Sequence, residues 1–460
     1  MQALLAIARL TFKAAFRFRL VPVLAVLLIG GVLLLPAVII SDGTARGLTQ
    51  IVLTYTLGLT TLILGITTLW LACGTLAKDI EECQIQVVAV KPVPRWQIWL
   101  GKWLGIMFVN ALLLSLAAAV IYVQLQWRAR GLPPEEQATL RNEVFVARGS
   151  FKPPPPDIQS AVDRLMEERL KNANVAALDR NELRRIVTAQ VKASYQVVRP
   201  DYMRTWKINL GPMADRLKDQ PLFLRIKFYV GDTKKKADTY TGIWEIGPEE
   251  GPRRQREILS QAPETFHEIK VLPNLIGPDG VLTVQFINQN DVPLLFQDKD
   301  GLEVLYREGG FLLNYARGVA ILGCWLALLT ALGLAASSQL SFPVAAFVSL
   351  GLLVVAFSTG TMRTVIEQGT IRAVDHETGM VANPNFFDAI SVGFFKVLLW
   401  IINLVRGFSP VEQLSDGRSI TWGTLALAVY QIVFIMGGLF ALLGIVLLHR
   451  RELATAQNQT

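Results

Sequence analysis

Residues 76–87 read LAKDIEECQIQV and stand between two long apolar runs, one ending at Cys73 and the next beginning at Trp103. The apolar residues recur at helical spacing, at Leu76, Ile80, Cys83, Val87 and Val90. The prolines of residues 91–95, KPVPR, end the helix because proline removes a backbone donor and restricts the residue before it. The pattern predicts a short amphipathic helix over residues 74–91 that lies against a membrane bundle and turns its charged side toward a cytoplasmic partner.

The composition is typical of a membrane protein with a sizeable soluble part. The chain has 460 residues, of which 52% are hydrophobic and 18% charged, and its mean hydropathy is +0.39. We attribute the net charge of +8 to membrane topology. Nucleic-acid binding is disfavoured because no basic face with interleaved aromatic residues stands out. The cysteines Cys73, Cys83 and Cys324 form neither a disulfide framework nor a zinc-binding spacing.

Six apolar runs are long enough to cross a bilayer, whose hydrocarbon core needs about 20 residues per helix. They cover residues 20–40, 51–73, 103–125, 312–337, 342–361 and 424–448. A seventh segment, 389–405, carries Lys396 near its middle, where a lysine costs about 2.5–3.5 kcal/mol on insertion scales. We interpret this segment, within residues 386–407, as a re-entrant or interfacial element on the outer side.

Basic residues beside the apolar runs predict the orientation of the chain. Those near the N-terminus, which favour a cytoplasmic location, are Arg9, Lys13, Arg17 and Arg19. Six spans also place Arg450 and Arg451 in the cytoplasm, whereas Arg406 and Arg418 favour seven spans, which would put that tail outside. The first 20 residues are either an amphipathic helix lying on the lipid–water boundary or a plain basic flank.

The third apolar run ends near Trp127, so residues 128–310 form one soluble extracytoplasmic domain between helical parts 1–127 and 311–460. The predicted fold is an integral membrane α-helical bundle of about six spans plus a re-entrant outer helix. Its inserted extracytoplasmic α+β domain is expected to contain an antiparallel β-sandwich.

Within this domain the pattern changes from helix to strand after Tyr195. A helix is predicted from Asp179, because Asp179 and Glu182 have the spacing of a capping box. Apolar and charged residues alternate at 224–228, and turn signals such as GPDG at 277–280 separate further short strands. This spacing predicts the antiparallel sandwich.

The order of the motifs in the membrane part resembles the cytoplasmic signature of type-2 ABC transporter permeases. The matching segments are DIEE at 79–82, VKPVPRW at 90–96, LGKW at 100–103, FSP at 408–410 and LHRREL at 448–453. In that family an acidic helix precedes a Pro-x-x-Arg stretch and a Leu-Gly-Lys entry to the third span. Cys83 and Gln84 stand where the family usually has Gly-Thr, and Pro94 where a small polar residue is common. The resemblance covers the membrane segments and not the outer domain.

The resemblance implies the permease subunit of an ATP-driven exporter in the cell (inner) membrane, with both termini cytoplasmic, and not an enzyme. Because the chain lacks a GxxxxGK[ST] phosphate loop, ATP hydrolysis would take place on a separate nucleotide-binding subunit. A second permease subunit, identical or related, would complete the path. The residues implied in ATPase coupling are Lys78, Asp79, Glu81, Glu82 and Arg95.

Three tryptophans recur at helical spacing after the prolines and predict an interfacial aromatic belt. The predicted membrane anchors are Trp96, Trp99, Trp103 and Lys102, the last reaching lipid phosphates.

A second hypothesis is mechanical: the membrane part would relay ATPase strokes through the outer domain to an envelope partner without moving cargo. A third, an envelope enzyme, requires converging acid–base groups in the outer domain, and the sequence offers no such cluster. No catalytic, cofactor or metal residues are predicted, because the adjacent residues 375–377, DHE, cannot converge on one ion without further ligands. We expect Trp206 and Trp244 to be buried rather than stacked on a glycan, and KKK at 234–236 to form a solvated turn.

Overall fold

The computed structural model comprises two compact units. It describes residues 2–17, 20–39, 43–82, 84, 93–170, 180–231, 238–248, 253–298, 300–368 and 386–451. The helical unit contains Met1–Ala147 and Gly310–Thr460, and the β unit contains Arg148–Gly309. Residues 128–147, which we assigned to the outer domain, therefore belong to the helical unit. The Arg46 guanidinium pairs there with the Glu143 carboxylate at 2.8 Å and holds this stretch on the helix that begins at Ala45.

Fifteen α-helices have bounds within the described residues. They are α1 (Gln2–Arg17), α2 (Leu20–Val38), α3 (Ala45–Glu81), α4 (Arg95–Ala129), α5 (Pro134–Thr139), α6 (Gln159–Leu170), α7 (Arg180–Gln196), α8 (Ala214–Leu217), α9 (Phe311–Ser337), α10 (Phe342–Phe357), α11 (Thr359–Gln368), α12 (Phe386–Arg406), α13 (Pro410–Ser415), α14 (Trp422–Ala428) and α15 (Gly438–Arg450). A π-helical segment, Val429–Gly437, joins α14 to α15 in one continuous helix.

Five of these helices are long and apolar enough to cross a membrane: α3, α4, α9, α12 and the continuous helix Trp422–Arg450. The number rises to seven if each of two bent pairs is one span. These pairs are α1 with α2, bent by 66°, and α10 with α11, bent by 57°. The segment predicted to be re-entrant or interfacial forms α12, whose length and composition also permit a span. The helices indicate a membrane protein.

Helices α3, α4 and α9 supply much of the core of the helical unit, including Leu57, Leu113 and Ile321. Helix α1 packs on α4, where Gly105 leaves room for it: a Cβ at this glycine would lie 2.6 Å from the Thr11 Cβ. Small residues allow such close helix approach. The basic side chains of α1 are exposed on its opposite side, so the N-terminal segment is an amphipathic helix docked on α4.

The β unit is built from antiparallel strands, as expected. The strands are β1 (Val146–Phe151), β2 (Val197–Val198), β3 (Met203–Asn209), β4 (Leu222–Ile226), β5 (Tyr229–Val230), β6 (Tyr240–Ile246), β7 (Gln255–Gln261), β8 (His267–Val271), β9 (Val281–Asn288), β10 (Leu294–Leu295) and β11 (Leu302–Gly310). They form three sheets, ordered β1-β11-β4-β8, β2-β10-β5 and β3-β9-β6-β7. β4 pairs antiparallel with β8 and β11, and β9 pairs antiparallel with β3 and β6.

One hydrophobic core contains residues from both four-stranded sheets. Leu224 and Val304 come from the first sheet, and Trp206, Trp244 and Val284 from the second. This shared core accords with two layers of sheet. Helices α6 and α7 pack on each other around a separate small apolar cluster. The predicted cap of α7, residue 179, lies outside the described residues, and the helix is described from its next residue.

Candidate functional site

The charged stretch that the sequence singles out is the C-terminal end of α3. This helix runs without a break from Ala45 to Glu81, so residues 74–81 are its last two turns and not a separate helix. The physical reason is that buried Leu76 and Ala77 continue the apolar stripe of the preceding span, and a lone glycine does not stop a helix that is packed along its length. Residues 83 and 85–91 of the predicted helix lie outside the described part of the chain.

Lys102, on the second turn of α4, is bound to the end of α3. Its side chain is buried, and its Nζ forms a salt bridge with the Asp79 carboxylate and donates a hydrogen bond to the Thr75 carbonyl at 2.9 Å. A buried ammonium needs such partners because the loss of its water is costly. The prediction that Lys102 reaches lipid phosphates is therefore wrong.

Arg95, at the start of α4, is bound to the end of α15. One guanidinium nitrogen donates to the carbonyls of Leu448 and His449, both at 2.7 Å, and of Arg451, at 2.9 Å. The last carbonyls of a helix have no partners within it, and a cation there also interacts favourably with the helix dipole. The Arg95 guanidinium thus caps the C-terminus of α15 through hydrogen bonds within the chain.

The acidic end of α3 also contacts the start of α10. The Glu81 carboxylate accepts a hydrogen bond from the Phe342 backbone N–H at 3.0 Å, and the Lys78 ammonium lies 5.5 Å from the centroid of the Phe342 ring. A carboxylate at a helix N-terminus is stabilised by the unsatisfied N–H groups there. Glu82 is exposed, and its carboxylate accepts a hydrogen bond from the Gln84 amide at 2.6 Å.

Two further bonds bring in the end of α9. The Arg451 guanidinium donates to the Ser338 carbonyl at 3.1 Å, and the Gln339 amide donates to the Leu447 carbonyl at 3.0 Å. The ends of α3, α9 and α15 and the starts of α4 and α10 are therefore joined by polar contacts. We call this set the helix-end cluster, defined by Lys78, Asp79, Glu81, Arg95, Lys102 and Arg451.

The three predicted aromatic anchors have different environments. Trp99 is 1% exposed and packs against Gly444, where a Cβ would lie only 2.6 Å from the indole Nε1. Trp103 is half-buried and donates from its indole nitrogen to the Ala327 carbonyl at 3.1 Å. Trp96 is 45% exposed and is free to meet an interface. The anchor prediction is thus wrong for Trp99, because its ring fills a gap between helices.

Three further features were predicted from the sequence: the DHE stretch at 375–377, the KKK stretch at 234–236 and the burial of Trp206 and Trp244. Within the described ranges, no group of three His, Cys, Asp or Glu residues could hold a metal ion. Residues 375–377 and 234–236 lie outside those ranges. Trp206 and Trp244 are 7% and 1% exposed, which confirms that both belong to the core of the β unit.

Several members of the helix-end cluster were not identified from the sequence as contacts. Arg451 was used to orient the chain and as part of the LHRREL motif, and Ser338 and Phe342 were not singled out as contacts. The start of α10 does carry a signal, since Pro343 stands in its first turn, where proline is favoured.

Comparisons with protein-family models, with curated proteins and with solved structures each found no match.

Proposed function

We propose that the chain is the membrane-spanning permease subunit of an ATP-driven exporter and that the helix-end cluster receives motion from a separate ATPase subunit. The observation that supports this most is that the exposed, charged end of α3 is bonded to the starts of α4 and α10. A displacement of α3 would therefore move both neighbours, and α4 would carry α15 with it through Arg95. Coupling of this kind needs packed elements with alternative arrangements.

The residues of the proposed docking surface divide into two roles. Lys78, Glu81 and Glu82 have exposed side chains, and in the proposal they meet the ATPase, with Glu81 also bonded to the start of α10. Asp79 and Arg95 are engaged with other helices, so they pass the displacement on rather than make contact with the partner. This division changes the expectation that all five residues dock directly.

The proposed complex contains two permease subunits and two ATPase subunits, with the helix-end cluster on the cytoplasmic side of the cell membrane. The β unit would then lie on the outer side. ATP-driven closure of the ATPase pair would favour one of two permease states, because it binds the two states with different affinity.

The test uses the tagged full chain purified from its native membrane with its bound partners. We expect vanadate-sensitive ATPase activity to copurify with the wild-type chain. The double substitution Glu81→Lys with Glu82→Lys should remove that activity from the purified sample by charge repulsion while the chain stays inserted. The matched control is Glu167→Lys with Glu168→Lys, an exposed acidic pair on α6. ATPase recovery that is equal for all three chains would contradict the proposal.

One feature favours the mechanical alternative, in which the same ATPase motion reaches an envelope partner. Strand β11 ends at Gly310 and α9 begins at Phe311, so no loop separates the β unit from a candidate span. Inserting a flexible Gly-Ser linker after Gly310 separates the two readings. If the chain is a relay, the linker should abolish the activity of the envelope partner. If it is an exporter, ATP-dependent efflux from cells should stay intact.

A further inference from the structure

Strand β3 forms one edge of the sheet β3-β9-β6-β7, and its described strand partner is β9. In an antiparallel pair, residues alternate between those bonded to the partner strand and those whose backbone groups point away. The Asn288 N–H donates to the Tyr202 carbonyl at 3.2 Å, and the Leu210 N–H donates to the Gly280 carbonyl at 3.0 Å. Even-numbered residues of β3 therefore face β9.

The odd-numbered residues of β3 consequently direct their backbone groups to the open edge. Met203 and Thr205 are both exposed, and their backbone N–H and carbonyl groups make no hydrogen bond on that side with any residue that the structure describes. An unpaired, accessible edge of this kind is a template for another strand.

A groove of about 740 Å³ runs along this edge, within the range of about 300–1,000 Å³ for ligand sites. Its lining includes five consecutive residues, 203–207, whose side chains alternate between the two faces of the sheet. A groove that touches all five must follow the strand edge. Pro153, Pro154 and Pro156 form part of its lining and cannot donate backbone hydrogen bonds to the β3 carbonyl groups, because proline lacks a backbone N–H.

The groove and a smaller adjoining pocket are cationic. Their charged lining residues are Lys152, Arg199, Arg204, Lys207 and Asp298. One guanidinium nitrogen of Arg204 is buried and has no hydrogen-bond partner among the described residues. Burial lowers the pKa of Arg204, and the nearby Asp298 charge only partly opposes that effect. A second carboxylate beside Arg204 would therefore stabilise its charged form.

We propose that the β3 edge is a docking site for an extended, acidic segment of a partner polypeptide, which adds to the sheet as a further strand. Its backbone would bond to Met203 and Thr205, and its carboxylates would meet Arg199 and Arg204. The hydrogen bonds to the edge favour a polypeptide over any other polyanion, and the positive lining favours acidic side chains. This inference does not depend on the proposed function of the helix-end cluster.

The experiment measures fluorescence anisotropy of labelled peptides with the purified full chain in lipid nanodiscs. The probe is an octapeptide of alternating Thr and Glu. We expect it to bind saturably and more weakly as salt is raised. The same peptide with every backbone nitrogen methylated keeps its charge but cannot add as a strand, and it should bind at least about tenfold more weakly. Equal affinity for the two peptides would show a general anion site and overturn the proposal. The same conclusion would follow if inorganic polyphosphate displaced the two peptides at the same concentration.

Variants of the chain locate the site. Arg199→Gln should weaken binding about tenfold through loss of a charged contact, whereas Arg256→Gln, on the opposite edge strand β7, should leave it unchanged. Thr205→Pro removes an outward donor while keeping the bonds to β9, and it should also weaken binding. The proposal is overturned if Arg256→Gln weakens binding as much as Arg199→Gln, or if the unmodified peptide shows no saturable binding.

Discussion

The buried ammonium of Lys102 is paired with the carboxylate of Asp79 where the first turns of α4 pass the end of α3. Lys102 is 5% exposed, whereas the Asp79 side chain keeps 33% of its surface in contact with solvent. The pair therefore links a site inside the helical unit to a residue at its surface. Asp79 lies between Lys78 and Glu81, which are exposed, so the surface around the pair is charged.

Removing the carboxylate of Asp79 should destabilise the chain. Asp79→Ala leaves the Lys102 ammonium buried without its counter-charge, and we expect a loss of about 3–5 kcal/mol. Thermal unfolding in detergent micelles measures the change. Glu82→Ala, three residues away and exposed, should change the free energy of unfolding by no more than about 0.5 kcal/mol. Replacing both partners, Asp79→Leu with Lys102→Met, should cost less than Asp79→Ala alone, and a larger cost would contradict this account of the pair.

Arg95→Gln should loosen the end of α15. The change removes charge-assisted hydrogen bonds to three helix-end carbonyls, which are worth about 1.5–3 kcal/mol for a charged donor. Hydrogen exchange should rise in residues 445–451, whereas the middle of α9 should stay protected. The control is Arg450→Gln, an exposed arginine in the last turn of α15. Unchanged exchange in the Arg95 variant would show that these bonds do not hold the helix end.

Gly444 tests the packing around Trp99. A Cβ at Gly444 would lie 2.6 Å from the Trp99 indole nitrogen and 3.0 Å from the Ala335 Cα. Gly444→Ala should therefore cost about 1–3 kcal/mol by overpacking. At Gly438, in the same helix, a Cβ would meet nothing within 4 Å, so Gly438→Ala should be neutral or stabilising. The measurement is the change in melting temperature of each variant relative to the unmodified chain. Equal changes for Gly444→Ala and Gly438→Ala would refute the close contact.

Phe296 tests the core of the β unit. Its ring centroid lies 5.3 Å from that of Trp206, 6.0 Å from that of Trp244 and 5.1 Å from that of Phe286. Phe296→Ala should cost about 3–5 kcal/mol by leaving a cavity and should shift the tryptophan fluorescence. Ile258→Ala, at a position 62% exposed on β7, is the control. A similar stability loss in the control would mean that Phe296 is not central to the core.

Sequence patterns predicted which segments form helices and strands, but they predicted few of the contacts between those elements. Apolar length identifies α3, α4 and α9, and alternation identifies β4, since both signals are local. Alternation did not reveal that the charged side of β4 is also covered. Arg225 is buried and lies 3.7 Å from Glu303 on β11. This strand neighbours β4 in the sheet but is distant from it in the sequence, so only the folded sheet defines their register.

The helix-end cluster could be foreseen only as a set of charged residues. Whether Lys102 meets lipid or Asp79 depends on how α4 crosses α3, which no spacing within either helix specifies. The same holds for Trp99, whose burial requires Gly444 from the far end of the chain. Tryptophan near an apolar run suits an interface and a core equally well by composition.

The most direct test of the account is a photo-crosslinking residue in place of Glu82, which is exposed directly after the C-terminal end of α3, beside the helix-end cluster. After irradiation of native membranes, we predict an adduct with a subunit that carries a phosphate-loop ATPase motif, and no such adduct when the same residue replaces Glu168. Adducts with lipid alone, or equal capture of the ATPase from both positions, would contradict the claim that this end of α3 receives the motion of an ATPase.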